Sequence, residues 1–169
     1  MDNLILIGMP GSGKSTVGRE LADRLEMAFI DTDSLVEARQ GLPLQAIVDR
    51  DGPEGVLRAE SLEASELGCR NTVIATGGSM VYSESAMRAL TRLGPIIWLD
   101  VPLPLLKQRV GGGQDRGLAM RPDQDLSDLA EERLPLYQRH ATVHIQAGTL
   151  TPAAIVDHIV AQRPSFTRT

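Results

Sequence analysis

Short apolar blocks alternate along the chain with longer segments whose apolar positions recur every three or four residues. The blocks are Leu4 to Ile7, Ala28 to Ile30, Thr72 to Ala75, Ile96 to Leu99 and Val143 to Ile145. Between them lie helical patterns, such as Val17, Leu21 and Leu25 on one face of the first and Val56, Leu57, Leu62 and Leu67 in a later one. Short apolar runs of three or four residues separated by amphipathic helices predict an α/β fold: five parallel strands in one sheet, covered by helices on both faces as a three-layer sandwich. Ligands of such sheets gather at the C-terminal ends of the strands, so the residues that follow each block are where chemistry is sought.

Length and charge narrow the class without changing that picture. At 169 residues the chain is the size of one domain, expected over 1–163 with a flexible tail over 164–169. The net charge of −5 is spread without a basic block, which disfavours nucleic acid and points to a small charged ligand. A single cysteine, Cys69, rules out an internal disulfide and suits a reducing compartment. No apolar run approaches the ~18 residues of a membrane span, and the first strand follows no basic prefix. A cytoplasmic monomer without a membrane partner is the expectation.

The first block runs into Gly8-Met9-Pro10-Gly11-Ser12-Gly13-Lys14-Ser15-Thr16, which fits the phosphate-loop pattern G-x-x-x-x-G-K-[ST] in the strand, turn and helix context that the pattern requires. Its glycines let successive N–H groups curl around a phosphate, and the helix N-terminus adds partial positive charge. Lys14 is expected to neutralise the β and γ phosphates of ATP, and Ser15 to ligate Mg2+. After the second block come Asp31, Thr32 and Asp33. The two carboxylates, one residue apart at the mouth of the sheet, are read as taking two distinct roles; the competing reading makes Asp33 or Thr32 the cap of a helix over Ser34 to Gln40.

The segment over about 34–70 is longer than a minimal crossover. It reads as a short helix through Ala46 and Val48 and a longer one from about Pro53, an insertion able to cover a substrate, with Arg58 beside Val56 and Leu57. Arg58 is read either as a ligand or as a solvated, ion-paired residue. Thr76-Gly77-Gly78-Ser79 offers backbone N–H donors at the end of the third strand, or a plain turn. Asp100, after the fourth, is a candidate for holding water around a metal or for capping a helix. Gly111-Gly112-Gly113 opens a polar stretch to about Asp125 that holds Arg116 and Arg121, a candidate lid that carries an arginine to the reacting phosphates. Pro135 is expected to disturb the helix around it.

Taken in order, the phosphate loop, Phe29-Ile30-Asp31-Thr32-Asp33, Leu57-Arg58, Gly77-Gly78, Arg109, Arg116 and Arg133-Leu134-Pro135-Leu136-Tyr137 resemble the shikimate kinases over about Leu4 to Ile159. The resemblance implies a P-loop NTPase fold with sheet order 2-3-1-4-5, and ATP-dependent phosphorylation of the 3-hydroxyl of shikimate. It further implies that Gly11, Ser12, Gly13, Lys14, Ser15 and Thr16 bind ATP with Arg109 and Arg116, and that Ser15 and Asp31 serve Mg2+, the latter through bound water. Asp33, Arg58, Gly77, Gly78 and Arg133 fall at acceptor positions, with Lys14, Asp33 and Arg116 catalytic. Where the family commonly has Phe-Arg-x-x-Glu, a third glycine and Arg-Pro-Leu-Leu, this chain has Leu57-Arg58-Ala59-Glu60-Ser61, Ser79 and Arg116-Gly117-Leu118-Ala119. Another small hydroxy acid, of homoserine or gluconate type, and a catalytically silent nucleotide-binding regulator are the other readings.

Overall fold

The computed structural model describes residues 3–110, 120, 121 and 123–163. Five strands, β1 (Leu4–Ile7), β2 (Ala28–Asp31), β3 (Thr72–Ala75), β4 (Ile96–Asp100) and β5 (Val143–Gln146), alternate with seven helices among the described residues. The helices are α1 (Lys14–Leu25), α2 (Thr32–Gln40), α3 (Leu44–Glu66), α4 (Glu84–Leu93), α5 (Leu103–Val110), α6 (Leu126–His140) and α7 (Pro152–Gln162), with a 3-10 turn at Met80–Tyr82. All strand pairs are parallel and the order is β2-β3-β1-β4-β5, the order the resemblance implied.

The apolar blocks explain that order. Every residue of β1 and β3 is buried, as is Ile96 to Leu99 of β4, which requires helices on both faces of the sheet. Ile5 sits between Ile74 and Ile96, and Leu6 between Ala75 and Ile97, so the middle of the sheet is branched aliphatic across three strands. β2 and β5, more polar and less buried, form the edges. Trp98, on β4, stacks between the rings of Tyr137 and His144, with centroids 6.2 and 4.3 Å away. Pro135 is accommodated inside a continuous α6.

Two details bear on the site. α2 begins at Thr32, not Ser34, and its cap is Asp31, whose side chain accepts from the Asp33 N–H at 3.1 Å. Asp33 thus lies in the first helical turn while Asp31 caps it, so the two carboxylates occupy different backbone settings. α3 is two helical pieces, as its sequence predicts, meeting at Gly52 (φ 70°, ψ 179°) just before Pro53. Val36, Leu44, Ile47 and Val56 pack there as a small cluster separate from the main core. Most of the expected lid, 111–119 and 122, and the expected tail, 164–169, lie outside the described residues.

Candidate active site

β1 delivers the chain to a loop that turns on Gly13, which has φ 90° and is the N-cap of α1 with no side-chain cap. A left-handed cap favours glycine, and without a capping side chain the first N–H groups of α1 are left to a ligand. Lys14 Nζ donates to the carbonyls of Gly8 (2.8 Å) and Met9 (3.0 Å), which hold the ammonium over the loop. Desolvation there lowers its pKa to about 8, against the opposing pull of Asp33 and then Asp31. Ser15 Oγ donates to Asp31 Oδ2 at 2.6 Å. That bond commits the hydroxyl proton and leaves the oxygen lone pairs for a cation, so Ser15 and Asp31 offer the hard oxygen donors that suit Mg2+.

Opposite the loop, four separate elements converge on one cleft of about 450 Å³. Gly11 to Thr16, Arg109, Val110, Leu150 and Pro152 line one end; Asp33, Glu60, Gly78, Ser79 and Arg133 line the other. Asp33 Oδ1 is buried and has no hydrogen-bond partner among the described residues. Burial, then Asp31, raises its carboxyl to about 6, with Lys14 pulling the other way. Glu60, 2% exposed, receives a short hydrogen bond from Ser79 Oγ. Desolvation first and Asp33 second push Glu60 up to about 8, which favours its neutral form.

Gly77 lies beneath both carboxyls. A Cβ there would come within 1.9 Å of Glu60 Oε1 and 2.6 Å of Asp33 Oδ1, so only glycine lets them approach. Its N–H donates to Thr32 Oγ1 at 3.0 Å. Arg133 is 1% exposed, an arginine buried at a cleft wall, and Tyr137 OH donates to the Gly78 carbonyl at 2.8 Å below it.

A cradle of backbone donors facing a pocket with a buried guanidinium and an orphaned carboxylate oxygen suits phosphoryl transfer to a small anionic alcohol. Comparison with known proteins agrees with that chemistry. The shikimate kinase family model matches residues 10–163. The chain belongs to the shikimate kinase family. It is 36% identical to the shikimate kinase of Mycobacterium avium, over 95% of this chain and 93% of that one. It is 34% identical to the shikimate kinase of Sulfurihydrogenibium, over 96% and 98%. Among solved structures, the shikimate kinase from Acinetobacter baumannii in complex with shikimate superposes with a TM-score of 0.91 at 29% identity, covering 100% of this chain and 96% of that one. The P-loop kinase fold follows.

Set against this shikimate kinase framework, most of the expected site residues meet in the cleft. Arg109 lines the cleft beside the phosphate loop and donates to the Gly11 carbonyl at 3.3 Å. Arg116 lies outside the described residues. Asp100 pairs with His144 at 2.8 Å and is not part of the cleft.

Arg58 is the departure. Its side chain is 68% exposed and meets Glu54 at 4.0 Å, one turn back on α3, while Val56 and Glu60 face the cleft. Residues four apart share a helix face, and Arg58, midway between those two, falls on the opposite one. Counted back from the buried Glu60, the family spacing Phe-Arg-x-x-Glu falls on Val56-Leu57-Arg58-Ala59-Glu60, with Leu57 at the arginine's place. Glu60 thus stands in the cleft as the acidic residue that Ser61 does not supply, and its spacing of four from Val56 places both on the cleft-facing side of α3.

Proposed function

We propose that this protein transfers the γ-phosphoryl group of ATP to the 3-hydroxyl of shikimate, as a cytoplasmic monomer. The observation that carries the reading is the orphaned Asp33 Oδ1, buried where the phosphate loop meets the pocket of Glu60 and Arg133. A substrate hydroxyl placed there would satisfy that oxygen in the same cleft that the phosphate loop lines.

In this reading the N–H groups of Gly11 to Thr16 and the Lys14 ammonium hold the triphosphate and take up the charge that spreads over the transferring group. Ser15, with Asp31 behind it, holds Mg2+, which when bound neutralises phosphate charge. Arg133 pairs with the acceptor carboxylate. Asp33 accepts a hydrogen bond from the attacking hydroxyl, orients it, and receives its proton as the new O–P bond forms and the bond to the ADP oxygen breaks. Glu60, kept neutral, adds no second negative charge beside Asp33. The 34–70 insertion covers the acceptor and Arg109 with Pro152 lies beside the adenine, while the expected lid over 111–125 with Arg116 lies mostly outside the described residues.

A coupled assay of ADP release tests the reading. Shikimate is expected to support turnover, with 31P spectra showing a phosphate ester at the 3-position, while homoserine and gluconate give background rates. Absence of shikimate-dependent turnover at millimolar acceptor overturns it, and turnover with one of the other acids reassigns the acceptor.

A further inference from the structure

We propose that Tyr82 is a positioning residue for phosphoryl transfer: it fixes the direction in which Arg133 presents its guanidinium to the acceptor. This rests on the acceptor reading above for its kinetic consequence, though not for its geometry. Tyr82 ends the 3-10 turn that follows Gly77-Gly78-Ser79, so the same loop that floors the pocket carries it to the far side of Arg133.

Three contacts make it a brace. The Tyr82 hydroxyl accepts from Arg133 Nε at 3.3 Å, and the Arg133 Cζ stands 5.2 Å from the centroid of its ring. The hydroxyl donates in turn to Glu132 Oε2 at 2.8 Å, so its proton is committed and a lone pair is left for the arginine. Glu132 is itself held from the other side by Arg121 (3.0 Å) and Gln124 (2.9 Å). The chain Arg121 and Gln124 to Glu132 to Tyr82 to Arg133 anchors the guanidinium at its Nε edge.

The opposite edge needs that anchor. Nη1 of Arg133 lies against Gly78, where an added Cβ would stand 2.9 Å from it, and Tyr137 is a further hydrogen-bond partner. Arg58 is turned to solvent, so among the described residues Arg133 supplies the guanidinium at the acceptor end of the cleft. One planar fork must then do the aligning, and a fork aligns a carboxylate only when its own plane is held. Leu57 and Ser79 line a second cavity with Tyr82, Arg121 and Glu132, so the side of Tyr82 away from Arg133 is not close-packed.

The test compares the full-length wild type with Tyr82→Phe, which keeps the ring, and Tyr82→Leu, which removes both contacts. We expect the KM for shikimate to rise about fivefold in the first and about twentyfold in the second, with the KM for ATP unchanged within twofold. In an Arg133→Lys background, Tyr82→Phe is expected to add no further loss, because its effect passes through Arg133. Independently of any substrate, the Nε–H resonance of Arg133, assigned by its loss in Arg133→Lys, is expected to exchange slowly in the wild type and fast in Tyr82→Phe. An equally protected Nε–H in Tyr82→Phe overturns the proposal, and so does an additive double mutant or an ATP KM that moves in step. If the wild type does not turn over shikimate, the assigned reaction fails while the exchange measurement still decides whether Tyr82 holds Arg133.

Discussion

The phosphate loop and the acceptor pocket share one cleft and are made of different material. The loop is main chain: nine consecutive residues, Gly8 to Thr16, whose geometry is set by glycines and by the start of α1. The pocket is side chain: Asp33 from α2, Glu60 from α3, Ser79 from the loop after β3 and Arg133 from α6, brought together only by the fold. A backbone site is written locally and survives small shifts elsewhere. A side-chain site depends on the rotational phase of each helix that contributes to it, and two positions along α3 separate the buried Glu60 from the exposed Arg58.

Mutation can break that contrast directly. The largest effects are expected where the two regions meet: Lys14→Ala and Asp33→Asn should each lower kcat by at least ~100-fold in a steady-state assay. Asp33→Asn should at the same time raise the melting temperature at pH 7 by about 5 °C. The sign follows from its pKa, which is raised from 3.8 to about 6 in the folded chain. Ionisation destabilises the fold progressively between those values and fully above them, whereas asparagine carries no such cost. The difference in melting temperature should close as the pH falls from 6 to 4, and an Asp33→Asn variant no more stable than wild type at pH 7 would count against the burial of that carboxylate.

Arg133→Ala comes next, with the KM for shikimate expected to rise about 30-fold and the KM for ATP to hold, since the two ligands use separate walls. Loss of ATP affinity in this variant would mean the walls are not separate. The pH profile gives a smaller handle. kcat/KM should drop about tenfold per pH unit below about 6 as Asp33 takes up its proton, and Lys14 should add a decline above about 8 in the free enzyme. Smallest of all is Arg58→Ala, expected to change neither KM by more than twofold. A tenfold loss of acceptor affinity there would bring Arg58 back into the pocket and sharpen the question of how α3 moves.

The same contrast explains what the sequence made legible. The parallel sheet and the cradle follow from apolar blocks and a contiguous motif, because each is fixed by residues adjacent in the chain or by a continuous buried run, whereas the strand order came with the family resemblance. Asp33 and Arg133 are legible as motif members. Arg58 and Glu60 are not separable by composition, since which of them faces inward is set by where α3 restarts after the break at Gly52 and Pro53. Tyr82 carries no motif at all: its role depends on Arg133, 51 positions away. The capping of α2 by Asp31 is a similar case, a local choice made by where the strand stops pairing with β3 at Ala75.

Trp98 gives the chain a built-in optical probe. It is the sole tryptophan of the sequence, it stacks on Tyr137, and the hydroxyl of that tyrosine holds the carbonyl of Gly78 at the acceptor wall. Any ligand that tugs on this wall alters the surroundings of a single indole, so its emission follows occupancy of the pocket without a label.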